Sequence, residues 1–500
     1  MLRTIEIDPE EMADEYATDP VFRQAVENMQ QETEDDVEAL TRRKIWMVNS
    51  TASGGGVAEM METLVGLIRS VGAEVTWAVM ETDESQFFDY TKNIHNLLHG
   101  AGNPEKLEGE AAETYEDVSR RLAETIIEHI EPNDVLCIHD PQPLAAGAYV
   151  VDELGIPAVW RCHIGSEEGS PESQAAWEHL RPWIEQYDRT VFSLPEYVPE
   201  FLVDRTDIIP PAIDPKSPKN RHMKPQAVAE VLARSTLIDT DHPTEQFDQV
   251  ARRLQLDGTF APATKPEDIG LLFRPTFCEI SRWDRLKGFH ELMEGFALLK
   301  KSVAPESNEQ TGADDAIRTS ARDDDHRKRI ANSRLLLVGP DPATVSDDPE
   351  GQETLEDIKE TWHSFDEALK EDIAVVVMPE DQVQSALVIN ALQRSATVIV
   401  QNSIQEGFGL TVTEAMWKRA VLAGSDTGGI RVQIDDGENG VLIPDAKNPE
   451  SVARTLDEVL RSKAQWDDWS LSAHRNVTDE YLVFGHVTRW LDTVRNAVEA

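Results

Sequence analysis

K-I-W-M-V-N-S (Lys44 to Ser50) comes first, then the glycine triplet Gly54, Gly55 and Gly56. A run carrying Val57, Met60, Met61, Leu64, Leu67, Ile68 and Val71 follows and stops at Gly72. Last comes E-V-T-W-A-V-M (Glu74 to Met80). The outer segments are short, apolar and rich in β-branched residues, so they read as strands. In the middle segment the apolar residues recur at i, i+3, i+4 and i+7, one face of a helix, and Gly72 stands where a C-terminal cap belongs. Strand, helix, strand at this length is a right-handed crossover between parallel strands.

The alternation continues on both sides of a proline break. Short apolar runs at Val135 to His139, Ala158 to His163 and Thr190 to Leu194 alternate with helical patterns such as Tyr115 to Ile130. After I-P-P-A-I-D-P (Ile209 to Pro215) the pattern restarts, with strands expected at Thr276 to Ser281, Arg334 to Gly339, Ile373 to Met378, Ala396 to Gln401, Ala420 to Gly424 and Gly440 to Ile443, and a helix at Phe289 to Lys301. The expected architecture is α/β, two Rossmann-like doubly wound domains with parallel sheets, the ligand lying in an interdomain cleft at strand carboxyl ends. Residues 1–212 make the first domain and 213–479 the second, with the proline segment as the hinge. Two stretches match no motif: 224–267, helical in places, and 307–325, read as a solvated insertion. The first forty residues are acidic and could hold a helix or two.

Five hundred residues suit two or three domains at roughly 100–200 residues each. With 40% hydrophobic residues the chain is globular rather than disordered. Its 93 acidic and 47 basic residues give a formal net charge of −46, and about a third of the bases are lysine. Such a charge disfavours nucleic acid and anionic membranes as partners. Spread over the whole chain, it reads as halophile adaptation, a surface that needs concentrated salt to screen its own repulsion. Cys137, Cys162 and Cys278 lie far apart in apolar runs and read as reduced, buried thiols. With no secretory signal and no apolar run of membrane-spanning length, the expected location is cytoplasmic. No metal-ligand spacing is present.

Three constellations carry the chemistry. The glycine triplet precedes a helix, whose free N–H groups suit a phosphate, though a plain strand-to-helix turn uses the same residues. S-R-W-D-R-L-K-G (Ser281 to Gly288) places Arg282 and Lys287 after a strand, where two fixed cations could hold a diphosphate; the alternative is an ordinary helix start with solvated bases. In E-G-F-G-L-T-V-T-E-A (Glu406 to Ala415), Glu406 sits in a glycine loop and can accept from sugar hydroxyls, while Thr411 and Glu414 have the spacing of a capping box. Two further strand ends, His139-Asp140-Pro-Gln142-Pro and Trp160-Arg-Cys-His163-Ile, bear polar groups that are either structural or part of a site. Asp239-Thr240-Asp241 reads as a solvated loop rather than a metal motif.

Together these motifs resemble the retaining GT-B glycosyltransferases, and within them the trehalose glycosyltransferring synthases. The resemblance lies in V-N-S-T-x-x-G-G-G-V-A-E (Val48 to Glu59), F-x-x-T-K-x-x-H-N-x-L-x-G (Phe88 to Gly100), H-D-P-Q-P (His139 to Pro143), W-R-C-H-I (Trp160 to Ile164), I-D-P-x-S-x-K-N (Ile213 to Asn220), L-L-L-V-G (Leu335 to Gly339) and E-G-F-G-L-T-V-T-E-A-M-W-K (Glu406 to Lys418). It implies glucose transfer from a nucleoside diphosphate glucose (ADP-, UDP- or GDP-glucose) to glucose, giving α,α-trehalose with retention. No cofactor is tightly bound and no metal is implied. Catalytic residues would be Arg282, Lys287, Glu406 and His163. Gly55, Gly56, Gly407, Phe408, Gly409, Leu410 and Glu414 would bind the donor, and Asp140 and Gln142 the acceptor. The final helix, residues 480–500, would cross back to the first domain. Small-molecule substrates are the only partners implied, and oligomeric state stays open, a homodimer included. Gly165 departs from the family's H-I-D string, leaving Glu167 or Glu168 to replace the lost acid. The alternatives are a sucrose- or glucan-forming relative and a non-transferring GT-B nucleotide-sugar isomerase.

Overall fold

A computed structural model describes residues 1–7, 12–52, 56–167, 169–239, 246–262, 269–303, 324–342 and 350–500. The chain divides into two compact units, Met1–Asp214 with Tyr481–Ala500, and Pro215–Glu480. The division falls two residues beyond the break read from the prolines. The stretch 307–325 lies outside the described residues except for Asp324 and Asp325, which open the helix Asp324–Asn332. Thr240 and Asp241 lie outside them too.

The first unit holds seven strands: β1 (Leu2–Ile5), β2 (Lys44–Asn49), β3 (Glu74–Met80), β4 (Val135–His139), β5 (Ala158–Arg161), β6 (Arg189–Phe192) and β7 (Thr206–Ile208). Their order is β1-β3-β2-β4-β5-β6-β7. All neighbours are parallel except β1, which runs antiparallel along β3. The β2–β3 crossover is the helix Gly56–Ser70, and β4 is buried along its whole length, as a strand covered on both faces must be. The chain leaves β2 toward β3 and returns to lay β4 on the opposite side. The carboxyl ends of β2 and β4 therefore flank the topological switch point, where open α/β sheets bind ligands. The helix Val483–Glu499 packs against the helices Gly56–Ser70 and Arg23–Glu32.

The second unit holds eight: β8 (Arg252–Leu254), β9 (Phe260–Ala261), β10 (Thr276–Ile280), β11 (Arg334–Gly339), β12 (Ile373–Val377), β13 (Val398–Gln401), β14 (Leu422–Ser425) and β15 (Val441–Ile443). The order is β15-β14-β13-β10-β11-β12-β8-β9. From β15 to β12 every pairing is parallel; β8 and β9 add an antiparallel edge. So the segment 224–267 is no loose insertion: its described part holds a helix, Pro225–Arg234, and this hairpin on the sheet. The core gathers Phe277, Leu335, Leu337, Val375 and Val400 against Leu292, Phe296 and Leu456 of the flanking helices. Here the switch point lies between β10 and β13. Among the described residues no helix is long and apolar enough to cross a membrane.

Candidate active site

Ser281 and Arg282 leave β10 directly at that switch point. Trp283 then turns inward, fully buried, its indole N–H donating to the Pro340 carbonyl at 2.7 Å. Arg282 stays exposed. Asp284 accepts the Leu286 N–H at 2.8 Å and so caps the 3-10 turn Arg285–Lys287. Gly288 ends the turn at φ +64, and a Cβ there would lie 2.3 Å from the Asn402 carbonyl oxygen. No other residue fits.

The loop after β13 closes on this turn. Ile404 N–H donates to the Leu286 carbonyl at 2.7 Å, and the Asn402 amide donates to the Gly288 carbonyl at 3.0 Å. That lacing delivers Glu406 to Lys287: Lys287 Nζ donates to Glu406 Oε2 at 2.6 Å, with side-chain exposures of 15% and 13%. Ser403 Oγ donates to the same oxygen at 2.9 Å. The pair is screened from bulk solvent yet partly open, so its cation remains available to an anionic group.

Gly407, Phe408 and Gly409 continue the loop. Gln433 holds it from below, its amide donating to the Phe408 carbonyl at 2.7 Å while its oxygen accepts from Thr413 Oγ1 at 2.6 Å. Gly409, at φ +82, is the N-cap of the helix Leu410–Trp417 and has no side chain to cap with. This overturns the capping-box expectation: Thr411 lies inside the helix rather than at its N-cap. Val412 N–H donates to the Gly409 carbonyl at 2.9 Å, and the first-turn N–H groups before it face the open end of the helix. Glu414, 7% exposed, stands 3.7 Å from Lys219. Lys418, one turn on, donates to Asn220 Oδ1 at 2.8 Å and to the Glu414 carbonyl at 3.0 Å. Burial lowers its pKa to about 7. The strings Ile213 to Asn220 and Glu406 to Lys418 therefore meet through these side chains. Sequence reasoning quoted both strings but missed Lys219, Asn220 and Lys418 as their contacts.

In the first unit the predicted residues cluster at the ends of β4 and β5. Asp140 adopts φ +65, which aspartate tolerates better than most residues. Its N–H donates to the Arg161 carbonyl at 2.7 Å, and its carboxylate accepts the His163 N–H at 2.9 Å. Burial pushes the Asp140 carboxyl up to about 6, against the opposing pull of that N–H and of Arg161. His163 stacks on His139 at 5.7 Å between centroids. Arg161 Nε donates to His163 Nδ1 at 3.5 Å, which leaves the proton on Nε2, facing His139 Nδ1 at 3.4 Å. Burial, with Arg161 nearby, holds His139 down at about 3 and His163 and His486 well below the ordinary histidine value. These imidazoles are neutral, hydrogen-bonding groups rather than cations. Gln142 follows, its Oε1 buried without a hydrogen-bond partner among the described residues.

Gly165 has its own cause. A Cβ there would lie 2.2 Å from the Tyr197 ring, so the acidic residue of the family string cannot occupy this backbone. Glu167 is partly exposed on the same loop. Glu168 lies outside the described residues, as does Gly55; Gly56 opens the helix Gly56–Ser70. Among the described residues no group of three or more His, Cys, Asp or Glu could hold a metal ion.

Residues 47–199 match the family described as "Trehalose synthase, N-terminal domain", and residues 365–475 match "Glycosyl transferases group 1". The chain is 34% identical over 467 residues to a trehalose synthase of Pyrococcus horikoshii, an alignment spanning 93% of this chain and 92% of that protein. The chain belongs to the trehalose synthase family. A Thermococcus litoralis member is 32% identical over 454 residues, spanning 90% and 89%. Among solved structures, one described as trehalose-6-phosphate from E. coli bound with UDP-2-fluoro glucose superposes with a TM-score of 0.63 at 13% identity, covering 90% of this chain and 99% of that one. This trehalose synthase relative thus has the GT-B fold, two Rossmann-like α/β domains, and is a glycosyltransferase of trehalose-related chemistry.

Proposed function

We propose that the chain transfers glucose from a nucleoside diphosphate glucose to free glucose, forming α,α-trehalose with retention at the donor carbon. The observation that carries this reading is the Lys287–Glu406 pair, 2.6 Å apart at the switch point of the second sheet. In a chain of net charge −46, a cation held there against one carboxylate is suited to a diphosphate.

The reaction breaks the bond from the donor's anomeric carbon to the diphosphate oxygen, which leaves with the electron pair. The acceptor hydroxyl oxygen bonds to that carbon, and its proton leaves with the nucleoside diphosphate. Negative charge builds on the departing group, so Lys287 and Arg282 stabilise the step. Glu406 accepts from donor sugar hydroxyls, and Glu414 from the ribose. The backbone amides of Gly407, Phe408 and Gly409, ahead of the helix, and of Leu410, its first residue, approach the phosphates, a role also assigned to Gly55 and Gly56. His163 contacts the donor hexose once its long bond to His139 gives way, and Asp140 and Gln142 bind the acceptor.

One incubation tests the reading: ADP-, UDP- and GDP-glucose, each with glucose, in molar KCl. Trehalose from at least one donor is expected, strictly dependent on glucose. A lengthening glucan, or conversion of the nucleotide sugar without glucose, would overturn it.

A further inference from the structure

We propose that Glu279 is a positioning residue for the transfer step, setting the Lys287–Glu406 pair from within the sheet through Gln401 and Ser403. The inference rests on the reading above, in which that pair serves the leaving diphosphate and the donor sugar.

Glu279 is the fourth of the five residues of β10, with none of its surface exposed. A carboxyl inside a parallel strand that is covered on both faces is out of place unless a partner explains it. Its neighbour on β13 is Gln401, whose amide Nε2 lies 3.4 Å from Glu279 Oε1, 2.8 Å from Ser281 Oγ and 3.1 Å from Ser403 Oγ. Ser403 Oγ passes its own hydrogen to Glu406 Oε2, the oxygen that Lys287 also holds. An amide has two hydrogens for these three acceptors. Whether Gln401 serves Ser403 therefore depends on the acceptor Glu279 offers, and Ser403 in turn directs Glu406. Gly288, at the end of the Lys287 turn, is tied to Asn402, next in chain to Gln401.

The charge of Glu279 matters as much as its shape. Burial raises its pKa well above the carboxylate range, Glu406 adds to the rise, and Lys287 opposes it. Glu291 adds a little to the rise and the Asn402 backbone N–H opposes it, but burial dominates, and Oε2 meets no hydrogen-bond partner among the described residues. A protonated Glu279 still offers Gln401 a carbonyl oxygen but adds no second negative charge beside Lys287. The ammonium then answers to one carboxylate and keeps its attraction for a diphosphate.

The experiment compares steady-state kinetics of Glu279→Gln and Glu279→Leu with Lys287→Ala and Glu406→Gln, alongside thermal unfolding of each. Glutamine preserves shape, acceptor and neutrality, so E279Q is expected to keep kcat within about threefold. Leucine removes the acceptor; E279L is expected to lose about 10–100-fold in kcat, the range seen when outer partners of a reactive group are removed, with a smaller change in donor KM. Rescue by glutamine of what leucine loses is the signature of positioning. Wild-type turnover in E279L, or equal loss in E279Q and E279L, would overturn the proposal. Should E279L fail to fold, Ser403→Ala interrupts the same relay from its other end, and unchanged kcat there would overturn it equally. If K287A and E406Q also kept full turnover, the reading of the site would fall; if they lost activity while E279L did not, only the role of Glu279 would.

Discussion

Lys287 and Glu406 define one another. Removing either leaves a half-buried charge without its partner, and removing a cation that faces a developing anion typically costs about 2.7–4 kcal/mol, or roughly 10²–10³ in rate. Lys287→Ala and Arg282→Ala should each lower kcat by about that factor; the unfolding midpoint should stay near wild type for the exposed Arg282 and fall for Lys287, whose loss takes the cation from Glu406, and turnover assays with urea unfolding check both. Asp140 gives a second test. Its carboxyl sits near 6 when folded, above the ordinary aspartate value, so its contribution to stability is full at low pH and is lost as pH rises from the ordinary carboxylate range through about 6. Asp140→Asn should remove that share of the pH dependence, seen as a gain in unfolding free energy over wild type that is larger at pH 7 than at pH 4.5. That Lys287 and Glu406 were worth singling out was legible because a charged residue beside glycine, just past an apolar run, has few structural reasons to be there. Glu279 was not: one acid inside T-F-C-E-I breaks no period, and only the side-chain contact across the sheet shows that it meets Gln401.

The helix Leu410–Trp417 depends on a backbone conformation, not on a side-chain cap. Gly409→Ala puts a Cβ at positive φ, 3.1 Å from Ile430 and 3.3 Å from the Glu406 side chain. A loss of about 1–2 kcal/mol in stability is expected, with reduced turnover because Glu406 is pushed; calorimetry and kinetics on one sample measure both. Gly165→Asp, which restores the family string, should destabilise the first unit through overlap with Tyr197, by about 1–3 kcal/mol on thermal unfolding. The strands were readable to within a residue or two wherever apolar runs were continuous, as at Val135–His139 and Arg334–Gly339. The edge elements were not. Leu2–Ile5 and the hairpin of Arg252–Leu254 with Phe260–Ala261 are short and mixed in polarity, and they owe their form to the strand they join. The capping box misled because its spacing is right but starts two residues late, after a glycine already in the left-handed region.

Across the molecule the −46 charge acts on stability rather than fold. At 0.1 M salt the screening length is about 10 Å and at 1 M about 3 Å, so repulsion among surface carboxylates falls steeply between them. The unfolding temperature should climb as KCl is raised from dilute buffer to molar concentration; an unchanged value across that series would exclude a salt-adapted surface. Both α/β sheets were legible because parallel, doubly covered strands leave long apolar runs. The pairing of distant loops left no such trace. Leu286 takes its hydrogen bond from Ile404, more than a hundred residues away in the chain. Anyone grafting substrate preference from a cousin enzyme should therefore move both segments as one cassette, because either half alone would arrive without the stitch that aligns it.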